Sequence, residues 1–406
     1  MKKILATTAL CATCVWSVSA HASGYQLNEY SITNLGRSFA GAGVVGDDYS
    51  AIAYNPAGMT LKKSGAQLSF TVAEVASEMK GQNDKQGKQT EMDFGVPLPS
   101  VYGQYQVNDK WFVGAGVYAP YGLATKYKNS SFIADKARES ILEVIDYNIS
   151  AAYKINSKWS LGASFIARYI YGKMTNNLVV AGMPAKSKFD LDGWTYTGTL
   201  GLMYEYDENT RFGLSYKPKS VQRVKGDHTI SLMTPMGIMN NVYPDGKASP
   251  DLPETLLLSA YHKPFEKVAF TGAARFTRWG DSFKEFEMTS TATKGLPAID
   301  YSWEDTWTIS AGMEYYVNDN WTLRLGTAWD QSPTPDNQHR THRIPDSDRI
   351  WASAGLSYRY DNMQFDLGYA HLFMKKSHIR DSVNKDYDTK YRAYSNMFGL
   401  GFQYDF

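Results

Sequence analysis

A chain of 406 residues carrying 42 Lys and Arg against 41 Asp and Glu has no electrostatic footprint for a nucleic acid or another polyanion. Its 29 Tyr, 18 Phe and 10 Trp fall largely in short alternating runs, and nothing beyond residue 22 supplies the roughly 18 consecutive apolar residues of a spanning helix. For an exported chain this excludes helical spans and leaves a soluble periplasmic protein or a membrane β-barrel, whose interfaces carry aromatic girdles.

Met1-Lys2-Lys3, the apolar run from Ile4 to Val18 and then Ala20-His21-Ala22 read as a cleaved signal peptide over residues 1–22, so the mature chain begins near Ser23. Cys11 and Cys14 lie inside that segment without the sequence context of a lipid anchor, and the mature protein therefore has no disulfide and no thiolate metal site. Residues 23–64 alternate nowhere. They are rich in small residues, with Gly36, Gly41, Gly43, Gly46 and Gly58, and carry Asn55-Pro56 as a turn signal. Such a segment fits a compact hatch folded inside a barrel lumen, where bulky side chains would not pack.

Residues 65–406 read as the barrel. Alternating runs predict strands at 65–78, 98–108, 111–120, 143–156, 159–174, 191–206, 210–228, 253–263, 267–284, 301–317, 321–331, 348–360, 362–378 and 392–406. Fourteen is even and puts both ends in the periplasm. Six tight polar turns, among them Asn108-Asp109-Lys110, Asn156-Ser157-Lys158 and Asn318-Asp319-Asn320, alternate with longer polar segments near 79–97, 121–142, 175–190, 229–252, 288–300, 332–347 and 379–391. Short turns on one side and long loops on the other are the asymmetry of an outer-membrane barrel. The last strand shows the alternation best: Tyr394, Phe398, Leu400, Phe402, Tyr404 and Phe406 share one parity, Ser395, Gly399, Gly401, Gln403 and Asp405 the other. The fold class is all-β, a membrane-spanning antiparallel β-barrel of fourteen strands with an amino-terminal hatch.

Three features stand out against this wall. Ala119-Pro120-Tyr121-Gly122 ends the third predicted strand, and a proline without an N–H followed by glycine should bend or part the sheet there. Leu232, Met233, Met236, Ile238 and Met239 crowd into one outer loop, where flexible apolar side chains suit a binding groove; with no alternation visible, the loop reads as partly helical. Parity turns Arg168, Arg275, Arg324 and Arg349 inward, where each could meet a carboxylate headgroup or a lumen acid. The mature histidines, His228, His262, His339, His342, His371 and His378, fall in no pattern of nucleophile and base and in no metal set.

Several motifs resemble the FadL/TodX family of outer-membrane transporters of long-chain fatty acids and other hydrophobic compounds. They are Gly24-Tyr25-Gln26-Leu27-Asn28-Glu29, Leu35-Gly36-Arg37-Ser38-Phe39-Ala40-Gly41, Asn55-Pro56-Ala57, Tyr121-Gly122-Leu123-Ala124-Thr125, Leu252-Pro253-Glu254 and Ile344-Pro345-Asp346-Ser347-Asp348-Arg349-Ile350-Trp351, in family order over the mature chain. The resemblance implies a fourteen-stranded monomeric barrel in outer-membrane lipid and lipopolysaccharide, with passive uptake of hydrophobic small molecules and no enzyme activity, cofactor or metal. It also implies an outer groove at the Met-rich loop and a lateral opening at Pro120, Tyr121 and Gly122. The moving hatch residues would be Tyr25, Gln26, Leu27, Asn55, Pro56, Ala57 and Gly58. Where the fatty-acid member has basic headgroup residues, this chain has Asn176 and Glu304. A general porin for small solutes is the alternative, and a packed hatch speaks against it.

Overall fold

The computed structural model describes residues 24–83 and 89–406, so the signal peptide read over residues 1–22 lies outside the described residues. Fourteen strands of these residues close an antiparallel barrel. They are β1 (Gly65–Asn83), β2 (Gln89–Gln106), β3 (Trp111–Lys126), β4 (Glu139–Lys154), β5 (Trp159–Val180), β6 (Met183–Asp207), β7 (Thr210–Lys217), β8 (Thr255–Phe265), β9 (Val268–Thr277), β10 (Thr306–Tyr316), β11 (Trp321–Asp330), β12 (Arg349–Tyr360), β13 (Met363–Met374) and β14 (Tyr394–Asp405). Closure comes from β14, which pairs with β13 on one edge and with β1 on the other, from Gly65↔Asp405 to Glu74↔Asn396. No sheet edge is left at the seam.

Alternation and turn chemistry explain the wall. On β14, Tyr394, Phe398, Leu400, Phe402 and Tyr404 are exposed while Ser395, Met397 and Gln403 are buried, and on β11 Trp321, Leu323, Leu325 and Trp329 are exposed while Arg324, Ala328 and Asp330 are buried. Three of the short turns open on an asparagine whose side chain replaces a backbone acceptor. Asn108 Oδ1 accepts from the Lys110 and Trp111 N–H groups at 2.9 Å each, and Asn156 and Asn318 do the same for Lys158 with Trp159 and for Asn320 with Trp321.

Outside the lipid layer the elements differ from those expected. Segment 175–190 is no loop: β5 and β6 run on in register to Val180↔Met183 and turn at Ala181-Gly182, both with positive φ, as a two-residue hairpin needs. Residues 229–252 are not partly helical either, since Val224–Thr234 and Gly237–Ala248 form a hairpin paired to β6. Beyond the bilayer neither face of a strand meets oil, so the ladder continues while the period of two disappears. The strand expected at 210–228 stops at Lys217, because Pro218 has no N–H to give. The third strand does not end at Pro120 but continues to Lys126.

The amino-terminal segment fills the space within this wall. From Gly24 to Thr60 every residue is buried except Gly46 and Asp47, around two short helices, α1 (Ile32–Leu35, capped by Ser31) and α2 (Ala51–Tyr54), and a 3-10 turn at Pro56–Leu61. Wall glycines allow the close approach: a Cβ on Gly326 would lie 2.1 Å from the Arg37 carbonyl carbon, and one on Gly162 would lie 2.3 Å from the Ala57 nitrogen.

Candidate functional site: a parted wall closed by the amino-terminal leader

Around Pro120 the wall loses a partner. Between Tyr118↔Asp146 and Tyr121↔Val144, β3 carries one more residue than β4, a bulge at Ala119-Pro120. On its other edge β3 pairs with β2 only from Gln106↔Phe112 to Val101↔Val117, after which β2 runs on beside β1 alone. Among the described residues, the upper edge of β3 is taken by the leader, residues 24–30. Gln26 bridges Tyr121, Leu27 N–H donates to the Pro120 carbonyl at 2.9 Å, and Gly122 N–H donates to the Tyr25 carbonyl at 2.9 Å. From the other side Ser100 Oγ and Tyr102 Oη each donate to the Tyr30 carbonyl at 3.0 Å, and Thr71 Oγ1 donates to the Glu29 carbonyl at 3.0 Å. The leader therefore lies across the parting and is held from both banks.

Its first residues are gripped by aromatic rings. The Tyr25 ring centroid lies 4.8 Å from Trp279, 5.4 Å from Phe283, 5.5 Å from Trp303 and 6.1 Å from Tyr121. Gly24, at φ +65°, sits where a Cβ would come within 2.8 Å of the Trp303 ring, so glycine is required on both counts. Its N–H donates to Asp346 Oδ2 at 3.0 Å, and Asp346 also accepts from Ser332 Oγ at 2.7 Å and from Arg349 at 3.0 Å. Beyond Tyr25 lies a small apolar cavity of about 40 Å³ whose walls include Leu123, Phe189, Leu191, Phe283 and Phe286. Tyr25 thus separates an oily chamber from the parted strands.

Burial also shapes the charges. It pushes the Glu29 carboxyl up to about 7, against the Asn28 N–H that donates to it, and raises Asp346, against Arg349. Burial alone would raise Asp47 as well, but Arg37 and Arg324 more than offset it and hold that carboxyl low.

The family model for outer membrane transport proteins of the OMPP1/FadL/TodX type matches residues 13–406. The chain belongs to that family. Membership makes it an outer-membrane transport channel and not an enzyme. It is 32% identical to the 47 kDa outer membrane protein of Pasteurella multocida (strain Pm70), with 100% of this chain and 99% of that protein covered. It is 27% identical to the long-chain fatty acid transport protein of Escherichia coli (strain K12), with 97% of each covered. The crystal structure of a Pseudomonas aeruginosa FadL homologue shares the fold, with a TM-score of 0.84 at 24% identity over 94% of this chain and 100% of that one.

Within this FadL/TodX barrel the residues expected from sequence take different places. Pro120, Tyr121 and Gly122 lie at the parting, and Tyr25, Gln26 and Leu27 lie against them. Asn55, Pro56, Ala57 and Gly58 are packed onto the wall: a Cβ on Gly201 would lie 2.1 Å from Asn55 Oδ1, and Asn55 Nδ2 donates to the Leu202 carbonyl at 3.2 Å. These contacts hold the four residues, expected from sequence to move with the leader, against the wall in this structure.

The arginines divide as well. Arg168 is held in a fork by Asp146 at 2.6 and 2.8 Å, and Arg324 is bound to Glu314 at 3.0 Å and Asp47 at 2.9 Å. Arg349 pairs with Asp330 and Asp346. All three are ion-paired, so Arg168 and Arg324, expected as headgroup contacts, meet acids in the lumen in this structure. Among the described residues, Arg275 reaches only neutral oxygens, those of Asn28 and of Thr308. Leu232, Met233, Met236, Ile238 and Met239 do not line the apolar cavity; they crown the outer hairpin, with Met236 97% exposed. Sequence reading missed the aromatic box of Trp279, Phe283, Phe286, Tyr301 and Trp303. Its one sequence signal is a pair of tryptophans near the ends of predicted strands, beyond the alternating core.

Proposed function

We propose that this chain is a passive uptake channel for long-chain fatty acids or comparable hydrophobic compounds, in which the amino-terminal segment acts as a hatch and substrate leaves sideways between β2 and β3. Amphiphiles are collected on the apolar tip formed by Leu232, Met233, Met236, Ile238 and Met239. They then pass into the cavity floored by Tyr25. Each methylene leaving water contributes roughly 0.8 kcal/mol, so capture needs no external energy source. Substrate competes with the Tyr25 ring, the leader withdraws from Pro120 and Gly122, and the uncovered edge opens onto lipid. The observation that carries this reading is the leader lying across the parting. The buried hatch body speaks against a steadily open porin. The family relatives named for fatty acid transport favour a fatty acid as substrate.

A tether tests it. Gln26 and Tyr121 form a non-hydrogen-bonded antiparallel pair, whose Cα atoms lie about 4.5 Å apart and within disulfide reach. With Gln26→Cys and Tyr121→Cys together, oxidised protein should block fatty-acid uptake and reductant should restore it. Undiminished uptake through the locked barrel would refute lateral release through this parting.

A further inference from the structure

Three arginines that are not ion-paired among the described residues meet at the long-loop end of the barrel. Arg340 and Arg343 lie between β11 and β12, Arg380 lies between β13 and β14, and all three line a polar cavity of about 430 Å³ whose walls also include Lys136, Asp300 and Asp381. Arg343 is buried, yet among the described residues its Nη1 finds only neutral oxygens, Ser140 Oγ at 3.0 Å and the Thr175 and Glu139 carbonyls at 3.4 and 3.5 Å, and its Nε and Nη2 take no partner. The groups acting on its charge are the phenols of Tyr127 and Tyr301, and burial lowers its basicity with no carboxylate to offset the cost. Arg340 is posted in the same way: Nε donates to the Asp346 carbonyl at 2.7 Å, and Nη1 to Asn337 Oδ1 at 2.8 Å and the His378 carbonyl at 2.9 Å. The Arg380 side chain is exposed. The two acids are already engaged, since Asp381 lies 3.0 Å from Lys136 Nζ and accepts from the Val383 and Asn384 N–H groups, and Asp300 accepts from Ser302 Oγ at 2.6 Å.

We propose that Arg340, Arg343 and Arg380 bind a phosphate group at the outer mouth, carried by an outer-leaflet glycolipid or free in the medium. This space is distinct from the one assigned to uptake: Arg343 lines the polar cavity, while Ile344, next in the chain, lines the apolar one. Lys136 and the three arginines outnumber Asp300 and Asp381 by two charges, with His339 neutral, and a phosphate dianion brings that sum to zero where a carboxylate leaves it positive. Guanidinium forks also match phosphate oxygens two at a time, and the Arg340 and Arg343 forks are already aimed by the carbonyls they hold. Once bound, the phosphate ties together loops from three strand pairs, those between β3 and β4, β11 and β12, and β13 and β14.

Calorimetric titration of the full barrel, in a non-ionic detergent at low salt and near neutral pH, compares inorganic phosphate, acetate, diphosphoryl lipid A and its dephosphorylated form. Phosphate should saturate a single site, and acetate should bind about tenfold or more weakly. Arg343→Gln, which keeps a donor for Ser140, should weaken phosphate about tenfold, the loss of one charge-assisted hydrogen bond. Arg380→Gln should do the same, and its exposed side chain can be changed without disturbing the fold. Phosphate should also slow amide exchange over residues 379–383 in the wild-type protein and not in either variant. Diphosphoryl lipid A binding more tightly than inorganic phosphate, with its dephosphorylated form inert, would uphold the site and make a glycolipid the source; lipid A binding no more tightly would uphold it with free phosphate as the source. No saturable binding of phosphate or diphosphoryl lipid A, acetate as tight as phosphate, or undiminished affinity in both variants would overturn the site and leave the uptake reading standing.

Discussion

The body of the amino-terminal segment and its leader are both buried, yet they are held by different physics. The body is keyed to the wall by charge and by backbone contact. Arg37 and Arg324 meet Asp47 and Glu314 in a quartet of two cations and two anions, all buried but Asp47, with Arg37 bound to Asp47 at 2.8 Å and Arg324 to Glu314 at 3.0 Å, and glycines 162, 201 and 326 admit its backbone. Removing one member strands its partners in a low dielectric. The leader is held by ring contacts around Tyr25 and by single hydrogen bonds to backbone and side-chain groups. Two kinds of anchorage thus share one continuous chain.

The sharpest way to break this contrast is to attack the body. Glu314→Gln leaves Arg37 and Arg324 with Asp47 as their remaining acid in the quartet, and should lower the stability of the folded barrel by about 3–5 kcal/mol, read as a lower midpoint in heat-dependent semi-native electrophoresis. Tyr25→Ala should cost about 3 kcal/mol within the leader, raising amide exchange of residues 26–30 roughly a hundredfold while the barrel midpoint stays put. An equal drop in midpoint for both variants would make body and leader one cooperative unit.

The smallest effect is the dependence on pH. Glu29, raised by burial from 4.5 to about 7, keeps a proton in the docked leader that a solvated glutamate sheds. Docking is therefore unpenalised below 4.5, weakens as pH rises to about 7, and is constant above it. Arg349 opposes the shift and Asp330 reinforces it. Acrylamide should reach Trp279 and Trp303 severalfold more readily at pH 7.5 than at pH 5. Glu29→Gln should flatten the curve, and an unchanged slope in that variant would assign the effect to another group.

Much of this was legible in the chain. The alternation from Tyr394 to Phe406 marks one lipid face, the Asn-led turns mark the periplasmic rim, and Pro120 marks the weak point of the third strand. Trp279 and Trp303 escaped notice because rings outside the lipid layer follow no period. The arginines were found by parity, but parity gives a face and not a partner, so Arg168 and Arg324 looked the same as Arg275.

By itself the sequence determined the wall: which residues meet lipid, how many strands there are and where they turn at the short-turn rim, because strand geometry converts a local period of two into a face. Only the tertiary structure decided what the wall does at Pro120. The Asp346 that anchors Gly24 is 322 residues away, and the Glu314 that anchors Arg37 is 277 away. Contacts of that separation leave no local pattern, since they depend on the barrel closing before either partner can be identified.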